Sequence, residues 1–318
     1  MIFAAIFYFF SCSQDDQLLE IPLCEDRPII IDCSRPDDSE LRVINQILED
    51  HTTNAIHVYN VFMDGCFEDV NKVRLVNSYM TKTDGSTDPL TIVDTLFNLN
   101  TLVHELIHAL NSRFASEESM VCEPWENMRI WLDSLNEIQV PFTRLFPAKE
   151  FFEEIPELIK DNSIYAIPYV LEEFSFAQTV GVFALLDEFN AYGHDAQVHL
   201  DLLPAYKNVY QKTSDIQVIS NYVVDFENAI PSYYHFKYFI LKYIDFAREN
   251  HSLDYQYIQS NTQFWEAFNR VDVNFSNTLE QYVDLIESDT LLMKHSSYDS
   301  IFEVLLKPTE ELIDQISK

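Results

Sequence analysis

The stretch Thr101–Leu110 reads TLVHELIHAL, and it places two histidines and a carboxylate within five positions of an otherwise apolar run. Burying His104, Glu105 and His108 together costs free energy unless each finds a partner. On a helix, His104 and His108 stand four apart on one face, with Cβ atoms about 5–6 Å from each other. That spacing lets both imidazoles reach one Zn²⁺ at bonds of roughly 2.0–2.1 Å. Glu105 lies about 100° round the helix, beside such an ion rather than on it. There it can take a proton from an activated water as a general base. The device works only on a helix, and Leu102, Val103, Leu106, Ile107 and Leu110 supply one with a buried context.

A catalytic zinc keeps three protein ligands and one open position. The third candidate is Glu188, in the apolar stretch Leu185-Leu186-Asp187-Glu188-Phe189-Asn190-Ala191-Tyr192 late in a long helical pattern. An acidic residue in that setting needs a partner, and the expected metal site is His104, His108 and Glu188.

His104-Glu105-x-x-His108 followed by a helical glutamate eighty residues on resembles the zincin metallopeptidases, in their gluzincin branch. The metzincin extension is absent, because Ala109-Leu110-Asn111-Ser112 follows His108. The resemblance covers two helical segments. It implies a Zn²⁺ cofactor, a peptide or protein substrate, and Glu105 as the catalytic base. It also implies strands ahead of the metal helix whose sheet edge binds substrate as an added strand. The carboxylate that usually follows the ligand glutamate by four is replaced by Tyr192, so Asp187, Asn190 or Asn111 is left to orient an imidazole. A Tyr or His donor to the oxyanion is expected as well. Tyr233-Tyr234-His235, with Tyr234 and His235 in the role, leads the candidates, and Tyr192 comes next. His194 and His199, five apart, do not share a helix face and read as surface residues.

Two other classes fit parts of the sequence. Glu105-x-x-His108 is also the carboxylate-histidine pair of di-iron helix bundles, but no second E-x-x-H occurs in the chain. A non-catalytic surface lipoprotein, acting as a binding or scaffold module with a structural metal or none, is the main alternative.

Composition narrows the field. Of 318 residues, 20 are Lys or Arg and 52 are Asp or Glu, a formal charge of −32 that repels phosphate backbones and excludes nucleic acid as a partner. Four glycines are too few for the Gly-rich loops of nucleotide-binding folds.

The N-terminus opens with nine apolar residues, Ile2 to Phe10, then Ser11-Cys12-Ser13-Gln14-Asp15-Asp16. The run is too short to span a bilayer and fits the apolar core of a signal peptide. A small residue before a cysteine there resembles a bacterial lipoprotein cleavage site. That resemblance implies lipidation of Cys12 and a lipid anchor in the outer membrane of the cell envelope, with the acidic tether favouring the outer surface. The remaining cysteines, Cys24, Cys33, Cys66 and Cys122, permit two disulfides in any of three pairings.

The elements that must position these residues divide the chain into four parts. Residues 1–11 read as a signal peptide, 12–27 as the lipidated cysteine and tether, 28–87 as an α/β N-terminal part, and 88–318 as a helical zincin-like body. Strands are expected at Pro28–Asp32, Ala55–Phe62 and Lys72–Val76, with a helix near Ser39–Glu49 where Leu41, Ile44 and Leu48 recur at helical spacing. Asp88-Pro89 is a helix-start signal. Helical patterns follow at Trp125–Leu135, Ala148–Lys160, Tyr169 to about Tyr192, Tyr234–Arg248 and Leu279–Leu292. The expected class is α+β, predominantly α-helical.

Overall fold

The computed structural model describes residues 39–52, 54–64, 92–117, 127–133 and 136–316, and nearly all of its elements are helices. Helices α1 (Ser39–His51) and α2 (Asn54–Asp64) lead to the long α3 (Ile92–Glu117). An antiparallel hairpin follows, β1 (Asn127–Asp133) and β2 (Asn136–Pro141). A 3₁₀ turn (Ala148–Glu154), α4 (Glu157–Asn162) and a π-helical turn (Ala166–Leu171) lie between the hairpin and the helical body. That body comprises α5 (Ala177–Val180), α6 (Val182–Asp201), α7 (Leu203–Thr213), α8 (Ile216–Asn250), α9 (Ser252–Ser260) and α10 (Thr262–Ser288). The short α11 (Thr290–Met293) and α12 (Tyr298–Ile301), a second π-helical turn (Phe302–Leu306) and α13 (Lys307–Ile316) complete it.

The core is built round α6. A helix that is apolar on every side must be surrounded, and Leu185, Leu186 and Phe189 of α6 are fully buried. Helices α3, α8 and α10 pack round it. Each of these side chains contributes about 1.5–3 kcal/mol on burial, so the helix that carries Glu188 is fixed from several directions.

The start of α6 is set by Gly181, whose φ of +60° and ψ of −127° an L side chain rarely adopts. A Cβ at that position would overlap the Tyr243 hydroxyl, which donates to the Phe146 carbonyl at 2.6 Å. The continuous helix expected from Tyr169 to Tyr192 is therefore corrected to a π-helical turn, a break, α5 and α6.

Other expected elements also change. Ala55–Phe62 is helical, within α2, rather than a strand. Ala55, Val58 and Tyr59 are buried at helical spacing, and packing on α3 overrides their β propensity. The helix expected at Trp125–Leu135 is instead a hairpin. Ile130, Ile138 and Val140 point inward at strand spacing, and Arg129 meets Glu137 across the pair at 3.4 Å. Ala148–Lys160 is broken at Pro156, ahead of α4. Leu279–Leu292 is divided by Asp289, whose carboxylate accepts from the Leu291 and Leu292 amides and caps α11. The Ser39–Glu49 helix is present as α1.

The expected strands at 28–32 and 72–76, the Asp88-Pro89 start signal, the N-terminal segments and all five cysteines lie outside the described residues. Among the residues described ahead of α3, every element is helical, and the two-stranded sheet comes after it. The described residues are predominantly helical, with one small two-stranded sheet. No helix among the described residues is long and apolar enough to cross a membrane.

Candidate metal centre

Helix α3 holds His104 and His108 on the face turned to α6, and their Nε2 atoms lie 3.1 Å apart. The Glu188 carboxylate comes to 3.3 Å from His108 Nε2 and 3.7 Å from His104 Nε2. A tetrahedral ion with bonds of roughly 2.0–2.1 Å sets its ligand atoms about 3.3–3.4 Å apart, so the three donors are spaced for one. Together they form a group able to hold a metal ion, the only such group among the described residues.

The two imidazoles are held differently. His108 Nδ1 donates to Asp187 at 2.8 Å, which leaves Nε2 free to act as a ligand. Asn111 Nδ2 donates to the other Asp187 oxygen at 2.5 Å, while Asn111 Oδ1 accepts from the Trp131 amide at 3.4 Å. The chain Trp131–Asn111–Asp187–His108 thus anchors the His108 imidazole to the hairpin. His104 Nδ1 is buried without a partner among the described residues. The residue four after Glu188 is Tyr192, and its ring packs edge-on against His104 at 4.5 Å instead of accepting the N–H.

Polar pairing continues along the α3–α6 seam. Asn111 faces Asp187, His108 faces Asp187 and Glu188, and His104 faces Glu188 and Tyr192. At the far end Asn100 meets His199 at 3.5 Å. Numbers fall on one helix as they rise on the other, so the two run antiparallel. Asp187, Asn111 and His108 satisfy one another across the seam, whereas His104 Nδ1 and Glu188 Oε2 are left without a hydrogen-bond partner among the described residues.

Burial would lower the His108 pKa, but the Glu188 and Asp187 carboxylates raise it well above its usual value. Burial would likewise raise Glu188, and the two imidazoles, His108 above all, hold it far below the usual carboxylate range. Glu105, on the same helix, is half-buried and is not one of the three converging groups.

Tyr169, on the π-helical turn, is a residue that sequence reasoning missed. It lines a small cavity with Glu188, Ser175 and Phe176. Its hydroxyl lies 3.0 Å from that of Tyr192. Burial, then the charges of Glu188 and Glu105, raise its pKa well above 10, so at neutral pH it is a phenol able to donate. No motif spacing marks it in the sequence.

The remaining expected site residues lie elsewhere. Tyr234 and His235 sit in the interior of α8, not at a helix start. Tyr234 has Tyr298 and Glu310 as its charged and polar neighbours and is not one of the three converging groups. Tyr233 donates to Asp272 at 2.8 Å. His235 is separated from the ligands by the rings of Tyr165 and Tyr192. His194 and His199 are buried, contrary to expectation, because α6 is surrounded. His194 Nε2 donates to the Trp131 carbonyl at 2.9 Å and His199 Nε2 to the Tyr222 carbonyl at 2.9 Å.

His235 is fully buried, neither ring nitrogen has a partner among the described residues, and burial pushes its pKa down to about 4 from 6.5. The unfolded chain therefore binds a proton at this residue between those values that the folded chain does not. Its contribution to stability is lost as pH falls through that window. His235→Phe is expected to gain about 3 kcal/mol over the native chain on going from neutral pH to about pH 4. Urea unfolding of both proteins at the two pH values measures it, and a pH-independent difference would refute it.

No protein-family model, curated protein or solved structure matches the chain.

Proposed function

We propose that this chain is a zinc-dependent peptidase of the zincin type, with His104, His108 and Glu188 as ligands and Glu105 as general base. The observation that carries this reading is the convergence of two imidazole nitrogens and one carboxylate oxygen at 3.1, 3.3 and 3.7 Å, next to a carboxylate outside the cluster. Zn²⁺ held there supplies Lewis acidity toward a carbonyl oxygen and makes water a nucleophile at neutral pH. The same donor set suits Fe²⁺, but Glu105, available for proton transfer without serving as a ligand, favours hydrolysis.

Glu105 takes the proton of the attacking water and passes it to the leaving amine. Tyr169, steadied by Tyr192, donates to the oxyanion in place of Tyr234 or His235. Asp187 and Asn111 fix the His108 ring, so the site is organised before substrate arrives. The substrate is a peptide or protein, and the chain acts from a lipid anchor at Cys12 on the bacterial outer membrane.

The test compares hydrolysis of a fluorescence-quenched unfolded protein by the native chain and by Glu105→Gln at equal zinc content. Hydrolysis by the native chain alone supports the reading. Zinc bound without hydrolysis by either protein leaves a scaffold with a structural metal.

A further inference from the structure

The segment that brings Tyr169 to the metal ligands turns an apolar face outward. Ile164 is 69% exposed, Ile167 51%, Leu171 38% and Phe174 80%, while Tyr165, Ala166, Val170 and Ser175 between them are buried. Ile167 and Leu171 lie about one turn apart on the π-helical turn and so share a side. Leu158, on α4 packed against that turn, is 37% exposed. Large apolar side chains exposed singly are ordinary, but a run of them on one short segment marks an interaction surface.

The flanks of the strip are acidic. Between residues 153 and 174 stand Glu153, Glu154, Glu157, Asp161, Glu172 and Glu173 against Lys160 alone. Lys160 is already committed to Glu153 and Glu157, at 3.5 and 3.4 Å. From outside the stretch Lys242 meets Glu154 at 2.6 Å and Lys149 meets Glu173 at 3.8 Å, so the carboxylates still outnumber the cations beside them. Such a rim repels an anionic lipid surface and attracts a basic partner. Cross-surface complementarity of this kind sets which partner binds and how fast it arrives. On its inner side, the same short turn carries Tyr169 into the cavity that Glu188 lines.

We propose that the strip formed by Ile164, Ile167, Leu171 and Phe174 is the substrate ledge of the metal site. Its occupant is an unfolded polypeptide segment whose apolar side chains are flanked by lysine or arginine. The apolar strip holds that segment, Glu172 and Glu173 select its charge, and the inner side of the same turn carries Tyr169 to the cavity that Glu188 lines. The assignment rests on the hydrolase reading, and its test is one of binding, so that the two can fail separately.

The experiment uses the full zinc-loaded chain carrying Glu105→Gln, and measures fluorescence anisotropy of labelled peptides that alternate Leu or Phe with Lys. Matched peptides carry Glu in place of Lys, or Ser in place of the apolar residues. The Leu/Phe-Lys peptide is expected to bind roughly tenfold or more tighter than either control, with a preference over the Glu peptide that shrinks as salt rises. Adding Leu171→Asp and Phe174→Asp is expected to abolish the preference while zinc content and helical circular dichroism stay unchanged. Equal binding of the three peptides, unchanged binding by the Asp variants, or equal retention on phosphatidylserine vesicles would overturn the ledge. If the native chain hydrolyses peptides but the Asp variants keep its KM, the ledge falls and the hydrolase stands. If the peptides bind as expected and hydrolysis never appears, the hydrolase falls and the ledge stands as a peptide-binding surface.

Discussion

Glu105→Gln is expected to keep its zinc and to hydrolyse peptide bonds about 10²–10⁴ times more slowly than the native chain, the range a positioned general base contributes. The residue is half-buried on α3 and is not among the three groups that converge on the candidate ion position. Glutamine matches glutamate in shape, so the packing of α3 against α6 is retained. What is lost is the ability to accept a proton from water, and the proton-transfer step carries the whole effect. Zinc content by mass spectrometry and initial rates on the same protein preparation separate the two properties. Loss of zinc would make Glu105 a ligand, and an unchanged rate would remove it from the chemistry.

How far this site could be read from the sequence depends on how each residue enters it. His104 and His108 were legible because they stand on one helix, where spacing is geometry. Glu188 was legible because a carboxylate amid Leu185, Leu186 and Phe189 has to be satisfied. Asp187 and Asn111 appeared only as candidates, because orientation toward His108 depends on how α3 and α6 cross. Tyr169 left no signal, since it reaches the site from an irregular π-helical turn beyond the Gly181 break.

The fold shows the same division. The repeat of Leu41, Ile44 and Leu48 sufficed for α1, whereas α2 and the β1–β2 hairpin are short apolar stretches in which strand and helix periods are hard to separate. Their state is decided by what they pack on. His194 and His199 were misplaced for a related reason. Spacing shows which helix face a residue occupies, but α6 is buried on every face, and only its neighbours reveal that.

The largest effect on metal binding is expected from Glu188→Ala, with Asp187→Asn as the graded comparison. Glu188 is one of three donors, and its loss leaves two imidazoles that cannot close the site. Asp187 touches no candidate ion position. It accepts from His108 Nδ1 at 2.8 Å and is itself held by Asn111. Losing an orienting partner of that kind typically costs 10–100-fold in metal affinity, and asparagine keeps the shape while giving up the charge. Asp187→Asn is therefore expected to weaken zinc by about 10–100-fold, and Glu188→Ala by roughly 100-fold or more. Competition with a fluorescent zinc chelator measures both on one scale. The apo proteins, compared by urea unfolding, show how much of either change is misfolding. Equal losses would mean that Asp187 binds the ion directly. Native affinity in Glu188→Ala would show that the three-donor cluster does not hold the metal and that zinc, if bound, lies elsewhere.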